Sequence, residues 1–125
     1  MKFVIGGESQ GKLEYVIKKY DISEENIADE KNTDPEKNIR CINNYHLIIK
    51  SIIENGRDPY EETLKILERY PDVIVIMNEI GNGIVPLRKE DRRWREEVGN
   101  IGCFLAEKAE SVERIFCGIA VNIKP

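Results

Sequence analysis

Seven residues near the amino terminus, Gly6-Gly7-Glu8-Ser9-Gln10-Gly11-Lys12, constrain the fold of this chain more than any other stretch. They fit the first seven positions of the phosphate-cradling loop G-x-x-x-x-G-K. Glycines there let successive backbone N–H groups point at phosphate oxygens. The lysine reaches the β and γ oxygens, and a helix N-terminus behind the loop adds partial positive charge. The flanks agree with this reading. Lys2 to Ile5 is a short β-branched and aromatic run, a strand entering a turn; from Gly11 a helical pattern puts Leu13, Val16, Ile17 and Tyr20 on one side. With Gly and Lys each at roughly 6–7% of residues, about 0.04 chance matches are expected in a chain this long, so the run counts as a signal. Its eighth position departs from the pattern. Leu13 stands where a Ser or Thr hydroxyl would hold Mg²⁺, so magnesium is expected to be weakly held, if at all. The plainer alternative is a tight glycine turn with a solvated lysine.

The remaining chain supplies the other parts of an α/β domain. Its 125 residues suit a single domain with a core of its own, residues 1–125, and no repeat or Pro/Gly/Ser-rich linker divides it. Residues 21–33 read as a loop with a short edge strand near Ile27. Asp34-Pro35 makes a helix start. Ile39, Ile42, His46, Ile49 and Ile53 then recur at gaps of three and four, which predicts one helix running to Asn55-Gly56. Asp58-Pro59 opens the next helix, where Glu61 completes a capping box and Leu64 and Leu67 face inward. Val73 to Met77 is apolar on both faces, the mark of a central strand in a parallel sheet. A helix from about Arg88 to Glu110 buries Trp94, Val98, Ile101, Leu105 and Ala109. Val112 to Cys117 and Ile119 to Ile123 are two further strands. Strands alternating with helices predict a three-layer α/β domain of the P-loop kind with a mostly parallel sheet, whose ligands lie beyond the carboxyl ends of the strands.

Between the central strand and the long helix runs Asn78-Glu79-Ile80-Gly81-Asn82-Gly83-Ile84-Val85-Pro86. Glu79 is a candidate ligand for nucleotide-bound Mg²⁺, and Gly81 and Gly83 would let backbone approach a ligand closely. This block closely resembles one in the adenosylcobinamide kinase/adenosylcobinamide-phosphate guanylyltransferase family of cobalamin biosynthesis. The likeness continues through Trp94-Arg95-Glu96, Gly99 and a final strand ending at Gly118, and the glycine loop falls in the family's place. Residues 1–20 and 72–124 carry it, whereas 21–71 do not. The family's aspartate-bearing strand has no counterpart. The resemblance implies a P-loop nucleotide-binding fold, phosphorylation of a corrinoid hydroxyl, and guanylyl transfer from GTP. It also favours Arg95, among the arginines of the charge run 89–97, as one that turns towards phosphate.

The family carries a histidine that accepts GMP, and this chain has one histidine, His46. A neutral imidazole can attack the α-phosphorus and leave a phosphoramidate. His46 also lies on the apolar stripe of its predicted helix, where a lone histidine is more often a satisfied core residue than a catalyst. The three cysteines, Cys41, Cys103 and Cys117, are widely spaced with no C-x-x-C, which points to reduced thiols in a cytoplasm and, on their apolar faces, to core positions. A net charge of −4 leaves no broad basic face for nucleic acid. No apolar run approaches the ~18 residues of a membrane span, and glycines interrupt the N-terminal apolar stretch too early for a signal peptide. The expected partners are therefore GTP or ATP, a corrinoid, and a second copy of the chain if a neighbour completes the site. Two functions follow: a corrinoid-modifying kinase and/or guanylyltransferase, or a nucleotide- or corrinoid-binding module without turnover.

Overall fold

The computed structural model describes residues 1–33, 38–80 and 88–125. In chain order its elements are β1 (Lys2–Gly6), α1 (Lys12–Tyr20), a single 3₁₀ turn (Glu24–Asn26), β2 (Ile27–Ala28), β3 (Cys41–Ile42), α2 (Tyr45–Glu54), α3 (Pro59–Arg69), β4 (Ile74–Asn78), α4 (Lys89–Lys108), β5 (Ser111–Phe116) and β6 (Ile119–Lys124). They form one six-stranded sheet in the order β2-β3-β4-β1-β5-β6. Every pairing is parallel except the β5–β6 hairpin. This is the expected α/β architecture. β1 lies between β4 and β5, so Gly6 is level with both Asn78 and Ile115.

Alternation along the strands divides the core into two layers. Phe3, Val73, Val75, Met77 and Val112 point to one face, where Tyr45 and Ile49 of α2 and Val98, Ile101 and Leu105 of α4 cover them. Val4, Ile74, Ile76 and Ile115 point to the other face, against Val16 of α1. Among the described residues no helix is long and apolar enough to cross a membrane.

Three expectations need correction. The segment holding Ile39 and Ile42 is not the first part of a helix: Cys41 and Ile42 form β3, and α2 begins only at Tyr45. Asn44 breaks the two apart in the left-handed conformation, with φ 55°. Isoleucines three residues apart match a helix, but here Ile39 and Ile42 reach the same core layer from a strand and its lead-in. The proposed start at Asp34-Pro35 lies outside the described residues. Leu64 faces solvent, because α3 buries Thr63 instead. The Thr63 hydroxyl donates to the Pro59 carbonyl at 2.7 Å and accepts from Tyr45 Oη at 2.6 Å, which satisfies both groups in the core. Finally, only Cys41 is buried; Cys103 and Cys117 are exposed.

One buried acid locks α1 onto the sheet. Glu113 of β5 is 3% exposed and points under α1. The Tyr15 hydroxyl donates to its carboxylate, as do Tyr20 Oη at 2.7 Å and Lys19 Nζ at 3.0 Å. Burial alone would push this carboxyl up; the two phenols and Lys19 outweigh it and hold the pKa below the ordinary value. Glu113→Gln should therefore cost about 1–3 kcal/mol in urea unfolding at neutral pH. An unchanged midpoint would show that the network does not hold α1.

Candidate functional site

The site begins where β1 stops. A Cβ on Gly6 would lie 2.5 Å from the Ile115 carbonyl oxygen, so no side chain fits there without displacing β5. The next residues fold back sharply, with Ser9 at φ 58° and Gly11 at φ 86°, and α1 starts immediately at Lys12. The left-handed turn at Gly11 is the reason for that glycine. Lys12 is 8% exposed, and its ammonium curls back across the loop to donate to the Gly7 carbonyl at 2.6 Å. Burial lowers its pKa, against the opposing pull of Glu79, Glu8 and Glu14. The Lys12 ammonium, the start of α1 and the glycine turn thus lie together at the end of β1.

Asn78 and Glu79 border the loop on the β4 side. The Glu79 N–H donates to the Gly6 carbonyl at 2.8 Å. Its carboxylate sits in a fork with Arg114, which donates from Nε at 2.7 Å and from the terminal nitrogen at 3.1 Å. The Asn78 N–H donates to His46 Nδ1 at 3.2 Å. His46, in the first turn of α2, is 5% exposed, and its carbonyl accepts from Trp94 Nε1 at 2.7 Å. Its pKa falls to about 4, first through burial and then through the Lys12 charge, with Glu30 acting the other way. The imidazole is therefore neutral, with its proton on Nε2.

Gly6 to Lys12, Asn78, Glu79 and His46 thus meet at the carboxyl ends of β1 and β4. Arg95 is half-buried on α4, next to Trp94. Gly81 and Gly83 lie outside the described residues. Leu13 lines a cavity of about 750 Å³ with Ile27, Asp29, Asn32 and Asn43, at the ends of β2 and β3. Among the described residues no group of three His, Cys, Asp or Glu side chains could hold a metal. Leu13 offers no oxygen, and a metal role for Glu79 would require the Arg114 fork to open. Among the described residues, this donor set does not fit a resident magnesium ion.

Sequence reasoning did not single out Arg114, Gln10's bonds to the β5–β6 turn, or the Trp94–His46 link. Only Arg114 left a trace, as one half of the charged pair Glu113-Arg114 between apolar strand residues.

Residues 40–123 match the family model described as cobinamide kinase/cobinamide phosphate guanyltransferase. The chain belongs to this family. The match begins after the glycine loop and includes residues 40–71, where the sequence alone showed no likeness. A curated relative, the bifunctional adenosylcobalamin biosynthesis protein CobU of Salmonella typhimurium strain LT2, is 38% identical over 52 residues. That stretch is 42% of this chain and 29% of the relative, so the alignment spans under a third of the relative's length.

In this family member the His46 environment has a pH signature. Unfolding exposes an imidazole of ordinary pKa 6.5, whereas the folded value is about 4. The unfolded state therefore takes up the proton first, and stability falls as pH drops from 6.5 towards 4. The loss should be on the order of 2–3 kcal/mol in chemical denaturation. His46→Gln should flatten that slope. An equal slope in wild type and variant would contradict the placement of His46.

Proposed function

We propose that this chain is a cytoplasmic, nucleotide-dependent corrinoid-modifying enzyme. It binds ATP or GTP through Gly6 to Lys12 and phosphorylates the hydroxyl of adenosylcobinamide. The observation that carries this reading is the Lys12 ammonium held inside the glycine loop at the end of β1, in a chain of this family. The three unpaired cysteines support a reducing compartment.

In this role Lys12 exchanges the Gly7 carbonyl for a β- or γ-phosphate oxygen and stabilises the charge that develops on the transferred group. The loop amides and the α1 N-terminus hold the remaining oxygens. The corrinoid hydroxyl attacks the γ-phosphorus, the bond to the β-γ bridging oxygen breaks, the nucleoside diphosphate leaves, and the hydroxyl proton passes to the transferred phosphoryl group and on to solvent. Magnesium enters as part of the nucleotide substrate, with no protein step routed through it. The cavity beside Leu13 and the groove of about 410 Å³ along Met77, Asn78, Glu79, Ile80 and Gly102 flank the loop and offer room for an acceptor.

Guanylyl transfer asks more of the site. His46 is its candidate acceptor: Nε2 would bond to the α-phosphorus of GTP as pyrophosphate leaves, and the corrinoid phosphate would then displace the imidazole. Attack by Nε2 needs the proton on Nδ1, so the Asn78 bond must first open. Kinase chemistry needs no such rearrangement.

A second reading, a binding module without turnover, is favoured by Leu13 and by the Arg114 fork on Glu79. Incubation with γ-labelled ATP or GTP, Mg²⁺ and adenosylcobinamide separates the two. The enzyme reading predicts label on the corrinoid, lost in Lys12→Ala and increased at low magnesium in Leu13→Ser. Nucleotide binding with no label transferred at saturating substrate would establish the module instead.

A further inference from the structure

The exposed residues of the glycine loop are held from outside the loop. Between its ends, Glu8 and Ser9 are exposed and Ser9 is in the left-handed region. Gln10 supplies a brace. Its backbone carbonyl accepts from the Gly118 N–H at 2.8 Å, and its side-chain Oε1 accepts from the Cys117 N–H at 2.7 Å. Its Nε2 reaches back towards the Glu8 carbonyl at 3.5 Å. One side chain thus spans the exposed arm of the loop and the turn of the β5–β6 hairpin.

That turn is shaped to donate both amides. Phe116 pairs with Ile119, leaving Cys117 and Gly118 as a two-residue connection with φ 51° and 78°. Positive φ at both positions is the tight hairpin geometry whose twist matches the strands. The turn also comes close to the loop, since a Cβ on Gly11 would lie 3.6 Å from the Gly118 Cα. The hairpin itself is an edge ribbon. Its Phe116, Ile119, Val121 and Ile123 side chains are exposed, so its tip is held to the sheet on the β5 side and to the loop through Gln10.

We propose that Gln10 is a positioning residue and that the Cys117-Gly118 turn sets the shape of the phosphate-binding loop. A loop already held in its binding geometry loses less conformational freedom when phosphate arrives. The coupling is reciprocal: a ligand that favours the braced loop must also favour the braced hairpin turn. The inference rests on the nucleotide-binding reading above, but it concerns residues over a hundred positions apart in the chain. It also assigns the turn a part in affinity without contact with the ligand.

The test uses the full chain and GTP or ATP as the probe. Wild type against Lys12→Ala first decides whether the loop binds nucleotide at all. Given binding, Gln10→Met keeps the length of the side chain but removes its bonds to Cys117 and Glu8, leaving the backbone bond to Gly118; it should weaken binding about tenfold with little change in unfolding temperature. Cys117→Val, a β-branched residue forced to φ 51°, should weaken binding by a similar factor without altering any loop residue. Amide hydrogen exchange in wild type supplies a third readout: nucleotide should slow exchange at Cys117 and Gly118 at least several-fold. Wild-type affinity in Gln10→Met, or exchange at the turn that nucleotide leaves unchanged, would overturn the proposal. A fall in unfolding temperature without loss of affinity would likewise show the bonds to be merely structural.

Discussion

The close approach of the β1 terminus to β5, 2.5 Å from an ideal Gly6 Cβ to the Ile115 oxygen, sets the shape of everything above it. Because Gly6 carries no side chain, β1 can lie flush between β4 and β5 up to its last residue. The chain must then turn out of the sheet at once, and the left-handed residues Ser9 and Gly11 make that turn possible. A helix starting at Lys12 is the result, with its lysine folded back over the strand end. A single missing Cβ therefore fixes the strand register, the loop and the direction of the one buried cation in that loop.

Charge at this edge is balanced locally. Lys12 sits among the fields of Glu79, Glu8 and Glu14, while Arg114 clamps Glu79 from β5. The neutral His46 lies close enough to feel Lys12 and holds the Asn78 N–H at the end of β4. Arg114 thus neutralises one of the carboxylates around Lys12, and the ammonium itself is satisfied by the Gly7 carbonyl. In the proposed function Leu13 weighs against tight metal binding more than against phosphate binding, because the phosphate contacts would come from backbone and Lys12.

Much of this was legible in the chain because it is encoded locally. The β1-loop-α1 unit, β4, α4, the β5–β6 pair and the edge strand at Ile27 each announce themselves within a few residues. The β3–α2 boundary does not. Ile39, Ile42, His46 and Ile49 keep helical spacing across a break, and a two-residue strand is too short to show period two. The Asn43-Asn44 pair was the available sign, since asparagine tolerates the left-handed conformation that Asn44 adopts. At the site, the loop, Asn78 and Glu79 could be placed from the sequence, whereas the Arg114 fork and the Gln10 brace could not. Those contacts join residues 35 and 107 positions apart, and only the parallel register brings them together. Cys103 and Cys117 were misplaced for a different reason: Cys103 occupies an open face of α4, and Cys117 falls in the tight β5–β6 turn just past its apolar strand.

The central claim is that the glycine loop is a phosphate site governed by Lys12. Calorimetric titration of the full chain with GTP and with ATP, each with and without Mg²⁺, tests it most directly when repeated on Lys12→Ala. Saturable binding that survives without Mg²⁺ and disappears in Lys12→Ala is the predicted result. No heat at millimolar nucleotide, or equal binding by the variant, would contradict it.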